Sequence, residues 1–429
     1  MPDHVILISV PGLRGADVAR MPRLSALTSG GDCAELAPGF PAVTCSVQAN
    51  MTTGAPPSAH GVVANGTFRR DQGKIEMWTA PNDCIGKPQL WDLLHGRDRQ
   101  LTSLVWFPLH SKGCGADFVC TPAPIHNADG SESLWCYTRP DSLYEELTEE
   151  LEHFPLQHFW GPLANIKSSE WIVESAVRAI QRHRPNLGYI YLPHLDYAAQ
   201  KCGPDSEQAL QALADLDQQI GRLVDGADAA YSAAPLWLFA SEYVITPVER
   251  VVYPNRVLRE AGLLEVRDSD EGALIDFERS AAWALVDHQM SHLFVRDRDA
   301  ATLRRVAELL AKQEGIAEVC SPRGEPRFDL QHPNSGELVA ISTPDSWQAY
   351  YYWESNADAP NFARSVDIHR KPGYDPVELF FDPATKGIPL DAALVRGSHG
   401  APPYDASQRG VLLSSQRGVF VEGPTADTD

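Results

Sequence analysis

Long apolar runs, paired cysteine spacings and an excess of positive charge are all missing from this 429-residue chain. No stretch approaches the roughly 18 consecutive apolar residues that a membrane-spanning helix needs. The opening MPDHVILISV sets no cationic segment ahead of a long apolar one, so neither export nor anchoring is expected and the chain is read as cytoplasmic. Lys and Arg number 36 against 57 Asp and Glu, a formal net charge of -21. That balance argues against nucleic acid or an anionic membrane as a partner, and any phosphorylated small molecule must be held by a local site. The eight cysteines, at 33, 45, 84, 114, 120, 136, 202 and 320, contain no CxxC pair and no metal-like spacing. They read as free buried thiols, not a disulfide framework. Repeats and low-complexity tracts are also absent, and only the tail after Val421 is expected to be loose.

What the chain does have is apolar content, 43% of its residues, enough for a large core in one big domain with an insertion or in two domains. HVILISV (4–10) is a continuous apolar, β-branched run, as expected of a strand buried on both faces of a parallel sheet. LTSLVWF (101–107), LGYIYL (187–192) and PLWLFAS (235–241) repeat the pattern. Between them lie helical periodicities: Leu210, Leu213, Leu216, Ile220 and Leu223 recur at three- and four-residue steps after a capping Asp205 or Ser206. Strands alternating with helices predict an α/β fold with a mostly parallel central sheet sandwiched by helices. Active groups in such folds collect at the carboxyl edge of the strands. Residues 268–345 read differently, as a small α+β insertion with HLFVRD, a helix DAATLRRVAELLAKQ, IAEVCS and a polar, hairpin-like GELVAIST. The core is then 1–267 and 346–429, and the aromatic SWQAYYYW beside the insertion reads as packing before it reads as a substrate shelf.

Chemically informative segments follow the strands: SVPGLR, FPAVTC before a helix, PHLDYAAQ, SEYVIT and, near the C-terminus, RGSHG. Taken in order they resemble the alkaline phosphatase superfamily, and most closely its nucleotide pyrophosphatase/phosphodiesterase branch, over about 1–70, 187–246 and 396–415. LTSGG, TTGAPPSAHGVVANG and SHGAPPYD fit the same resemblance. It implies an alkaline phosphatase-like fold and a hydrolase in which a threonine nucleophile, here Thr44, is flanked by two zinc ions. Asn65 matches the asparagine that holds a phosphoryl oxygen.

The implied ligand set is altered. Pro11 stands where the resemblance expects an aspartate, Gln200 where it expects a histidine four residues after Asp196, and Glu242 with Tyr243 where it expects an Asp-His pair. Asp196 and His399 match unchanged. Proline offers no side-chain donor, so two zinc ions are not expected, and at most one divalent ion, zinc or a harder cation, would be held by Asp196, His399, Glu242 and Gln200. A threonine hydroxyl needs help to attack, and the resemblance assigns that help to a metal. Substitutes in the sequence are His194, His288 and His292 (with Asp287), His369 (with Asp367) and Tyr243 as a base or anion contact. Arg14, Arg370, Lys371 and Arg396 are candidates for an anion clamp or, as the default, for ordinary salt bridges. Thr44 has a local alternative as well, since threonine ahead of a helix is a favoured N-cap. Three readings stay open: a hydrolase of small phosphoesters or diphosphates using Thr44 and Asn65, a non-catalytic descendant that binds a phosphorylated metabolite or partner, and changed acid–base chemistry in the same pocket.

Overall fold

The computed structural model describes residues 3–126, 132–324, 326–420 and 423–429. In chain order the main strands are β1 (Val5–Val10), β2 (Cys33–Ala37), β3 (Ser103–Trp106), β4 (Phe118–Pro122), β5 (Cys136–Arg139), β6 (Leu187–Tyr191), β7 (Leu236–Ser241), β8 (Ala282–Asp287), β9 (Met290–Val295), β10 (Ile316–Cys320), β11 (Leu338–Ser342), β12 (Gly410–Ser414) and β13 (Thr425–Ala426). The helices that matter below are α1 (Pro22–Thr28), α2 (Thr44–Thr53), α3 (Ile166–His183), α4 (His194–Cys202), α5 (Glu207–Asp228) and α6 (Ala300–Ala311).

Among the described residues, nine strands form the central sheet in the order β13-β2-β12-β7-β1-β6-β3-β4-β5. β1 runs parallel to β6 and β7, and β3 runs parallel to β6 and β4. β12 and β5 are antiparallel to their neighbours. The α/β class is therefore as read: Ile6, Ile8 and Val10 pack toward α3 and α5, while Leu7, Val105 and Tyr189 pack with Trp91 on the other face. Burial on both faces is why these strands are continuous apolar runs. α5 begins at the cap its sequence offers, where the Ser206 hydroxyl accepts the Ala209 N–H at 3.1 Å. Val10 pairs with Ser241 and Ser9 with Tyr191, so the segments after β1, β6 and β7 emerge at one edge.

A second, antiparallel sheet runs β8-β9-β11-β10, with α6 against β10 and β11. GELVAIST is neither polar in its setting nor a hairpin: Leu338–Ser342 is a single, wholly buried strand between β9 and β10. The apolar positions 338, 339, 340 and 341 fill both faces there, which a half-buried hairpin arm would not do. SWQAYYYW is packing, with Trp347, Tyr350, Tyr351, Tyr352 and Trp353 at 1% exposure or less.

The tail is anchored, contrary to its sequence reading. Residues 421 and 422 lie outside the described residues, but β13 pairs in parallel with Leu36–Ala37. Asp427 Oδ2 then accepts hydrogen bonds from Gly39 N and Asn50 Nδ2, each at 2.8 Å. All eight cysteines are free thiols, four of them buried and Cys33 exposed. No helix among the described residues is long and apolar enough to cross a membrane.

Candidate active site

Thr44 is the first residue of α2, and Val43 is the N-cap. The threonine is therefore not the cap, and its hydroxyl is used elsewhere: Oγ1 shares a 2.9 Å hydrogen bond with the phenol of Tyr243. Tyr243 follows β7, and its OH also lies 3.5 Å from Asp196 Oδ1 in the first turn of α4. The Tyr243 ring lies flat on His399, with centroids 3.5 Å apart and planes at 6°. His399 in turn meets His288 at 3.6 Å, and His288 stacks on Tyr374 at 3.7 Å. The four rings form a column whose two ends carry hydroxyls. One hydroxyl reaches Thr44, and the Tyr374 OH donates to Gln200 Oε1 at 2.7 Å.

Asn65 locks the other side of Thr44. Its Oδ1 accepts the Cys45 N–H at 3.0 Å, while its own N and Nδ2 donate to the two Asp287 carboxylate oxygens at 2.7 and 3.0 Å. Asp287 ends β8, so this one carboxylate ties the second sheet to the start of α2. Glu242 Oε1 accepts from Ser9 Oγ at 2.6 Å and from Gln48 Nε2 at 2.8 Å. His399 Nδ1 donates to Ala42 O at 2.7 Å, which leaves Nε2 buried and without a hydrogen-bond partner. Glu242 Oε2, Gln200 Nε2 and His288 Nδ1 are buried without partners as well.

Burial dominates the electrostatics because it penalises charge. It raises Asp196 to about 7, Asp287 to about 7 and Glu242 to about 8, against opposing hydrogen bonds from their neighbours. It lowers His399 to about 3 and holds His288 well below its ordinary value. The Tyr243 phenol is pushed well up, first by burial and then by Asp196. At neutral pH the site is thus built of neutral imidazoles and phenols, with Glu242 mostly protonated and Asp196 and Asp287 near the midpoint of their titration. It is also closed: Thr44 is 3% exposed and Tyr243 and His399 are each 1% exposed.

A profile of the family described as type I phosphodiesterase/nucleotide pyrophosphatase matches residues 5–375. The chain belongs to that family. A fission-yeast (Schizosaccharomyces pombe) protein named as an uncharacterised pyrophosphatase/phosphodiesterase is 26% identical over 227 residues, 52% of this chain and 40% of its own length. The chain thus spans less than half of that relative. Among solved structures, phosphonoacetate hydrolase of Sinorhizobium meliloti in complex with phosphonoformate superposes with a TM-score of 0.62 at 14% identity, covering 100% of this chain and 94% of the other. Murine ectonucleotide pyrophosphatase/phosphodiesterase 5 gives 0.61 at 14% identity, covering 99% and 92%. At that identity the two structures establish the alkaline phosphatase-like fold. The phosphodiesterase family is one of metal-dependent hydrolases acting on phosphoester or pyrophosphate bonds.

The residues that this phosphodiesterase-family chain offers do not fit the family's cation sites. Among the described residues, no group of three or more His, Cys, Asp and Glu is placed to hold a metal ion. Of the four expected ligands, Glu242 Oε1 already accepts two hydrogen bonds, Gln200 Oε1 takes the Tyr374 hydroxyl and Asp196 Oδ1 lies 3.5 Å from the Tyr243 phenol, which leaves Glu242 Oε2 and His399 Nε2 as the ligating atoms without partners.

The column brings together Thr44, Asp196, Gln200, Tyr243, His288 and His399, with Asn65 and Glu242 beside it. Other candidates fall elsewhere. His194 is buried at the start of α4, 3.9 Å from Asp215. His292 donates from Nε2 to Val63 O and accepts from Gly336 N, a bridge within the fold. His369 Nδ1 donates to Met77 O. Arg14 pairs with Asp17 and Asp205, Arg370 with Asp367 and Glu271, and Lys371 is buried between Asp375 and Glu378. Arg396 is exposed, and its backbone N–H donates to Gln200 O. Tyr374 is the member that the sequence did not mark. Its signal is Gly373 in PGYDP, since a Cβ there would meet Val286 O at 2.6 Å and stop the segment from closing on β8.

Proposed function

We propose that the chain hydrolyses a small phosphoester or diphosphate with Thr44 as nucleophile. Attack of Thr44 Oγ on phosphorus forms a threonyl phosphoester as the bond to the leaving group, an alcohol or a phosphate, breaks, and the hydroxyl proton goes to the departing oxygen. Water then cleaves that intermediate, releasing phosphate or, from a diester, a phosphomonoester, and restoring the hydroxyl. One observation carries this reading: the Thr44 hydroxyl stands at the start of α2 on the carboxyl edge of the sheet, hydrogen-bonded by Tyr243 and not consumed in capping. The amino end of a helix favours an anion there, and Asn65 is fixed beside it. The proposal includes residues 268–345 as an insertion that delivers Asp287 and His288 to this edge. It also includes a reducing, cytoplasmic location, supported by eight free thiols.

The test is turnover of bis(p-nitrophenyl) phosphate and of a nucleoside diphosphate by the wild type, Thr44→Ser and Thr44→Ala. Loss of at least about 100-fold in Thr44→Ala, with partial activity in Thr44→Ser, is expected. Equal turnover in wild type and Thr44→Ala removes the threonine from the chemistry. The altered donor set at Pro11, Gln200 and Tyr243 supports a second reading, a descendant that binds a phosphorylated metabolite or partner without turning it over. Calorimetric binding of a nucleoside monophosphate with no hydrolysis of any ester would favour it.

A further inference from the structure

We infer that the ring column Tyr243–His399–His288–Tyr374 has replaced the family's paired cations, so that this chain binds no divalent ion beside Thr44. The observations are geometric and chemical. At the position where the resemblance expects a histidine ligand, Tyr243 reaches the threonine hydroxyl itself, at 2.9 Å. Where it expects another histidine, Gln200 supplies a neutral amide whose oxygen holds the second phenol of the column. Where it expects the first aspartate, Pro11 supplies nothing. The surviving histidine, His399, keeps Nε2 open with Nδ1 bound to Ala42 O, but it stands alone as an imidazole donor, stacked between the rings of Tyr243 and His288 at 3.5 and 3.6 Å. A cation needs several anionic or imidazole donors converging on one point. Here rings stack on one another instead, and no group of three or more His, Cys, Asp and Glu converges among the described residues. The three changes at 11, 200 and 243 act together: each replaces a charged or imidazole donor, Tyr243 supplies one hydroxyl of the column and Gln200 accepts the other from Tyr374.

This inference concerns metal binding alone and stands whether or not Thr44 turns over a substrate. The experiment therefore reads metal. Full-length wild-type protein is incubated with zinc, manganese or cobalt(II), desalted and analysed for metal content, and its melting is followed with each ion and with EDTA. No stoichiometric ion and no shift in melting are expected. Retention of one equivalent that is lost in His399→Gln would overturn the inference; retention that survives His399→Gln lies elsewhere and agrees with it. The second arm is Pro11→Asp combined with Gln200→His and Tyr243→His. Zinc affinity is expected to rise more than about tenfold over wild type, with tetrahedral cobalt(II) absorption. A triple variant that folds by circular dichroism yet gains no ion overturns the claim that these positions exchanged metal for rings. If that variant does not fold, the wild-type measurement still decides.

Discussion

Tyr243 concentrates in one side chain what distinguishes this site, and its ring and its hydroxyl make separable contributions. Tyr243→Phe keeps the ring on His399 and deletes the oxygen that meets Thr44 and Asp196. The stability loss should be about 1 kcal/mol, that of one buried hydrogen bond between neutral groups. Tyr243→Ala removes the ring as well and should cost about 3–5 kcal/mol. Urea unfolding of both variants checks the split, and equal losses would mean that the stacking contributes little. Much of this neighbourhood was legible through the family resemblance, whose motifs Thr44, Asn65, Asp196, Glu242 and His399 occupy or vary, in short segments after strands or beside a helix start. The column was not legible. Its Tyr374 meets Gln200 across 174 residues, and nothing in VDHQMSH distinguishes His288, which turns into the column, from His292, which bridges Val63 and Gly336. Strand alternation and the β8–β9 turn decide that, and both depend on tertiary register.

Elements hold the residues, and two contacts between elements carry predictions. α1 opens with Pro22, which has no N–H, so Arg23 and Leu24 carry the next unpaired donors of that turn. Asp217, in the middle of α5, accepts both, at 3.0 and 2.9 Å. Asp217→Ala should therefore cost about 1–3 kcal/mol, because two donors lose their partner, and a thermal midpoint equal to wild type would refute the cap. Gly397 supports the site more directly. A Cβ there would meet the Ala199 carbonyl oxygen at 2.3 Å, two residues ahead of His399. Gly397→Ala should destabilise by about 1–3 kcal/mol and loosen the His399 to Ala42 bond, which the imidazole proton resonance reports by NMR. The interior strands were readable because both of their faces are buried and they become unbroken apolar runs. β2, next to the edge of the sheet, alternates exposed and buried positions, and the short return strands β12 and β13 have too few residues for a period to show. The tail was misread for the same reason: two paired residues and one aspartate fix it, with no apolar signal in the sequence.

At the scale of the whole molecule, the buried titratable groups fall into two opposed sets. His60, His110, His194 and His292 are held at about 4 and His399 at about 3, all chiefly by burial. Each lies below its unfolded value of about 6.5, so the unfolded chain binds more protons and stability rises with pH until that value is passed. Asp196 and Asp287 at about 7, Glu242 at about 8 and Asp427 at about 6 do the reverse. The folded chain holds their protons longer than the unfolded one, so their contribution is complete below about 4 and is lost as pH climbs through the folded values. Between about 4 and 6.5 the two sets oppose each other. At pH 6.5 the unfolded histidines are still half protonated, so their gain continues to about pH 7.5 and offsets part of the loss from the carboxyls. Stability should therefore peak between about pH 6 and 6.5 and fall by roughly 1–2 kcal/mol between pH 6.5 and 8.5. Urea denaturation across that range in EDTA measures the fall. Glu242→Gln, which keeps an oxygen for Ser9 and Gln48 but cannot ionise, should flatten it most. A stability that keeps rising from pH 6.5 to 8.5 in the wild type would mean that these carboxyls are already ionised in the folded protein, and the neutral character assigned to the ring column would go with them.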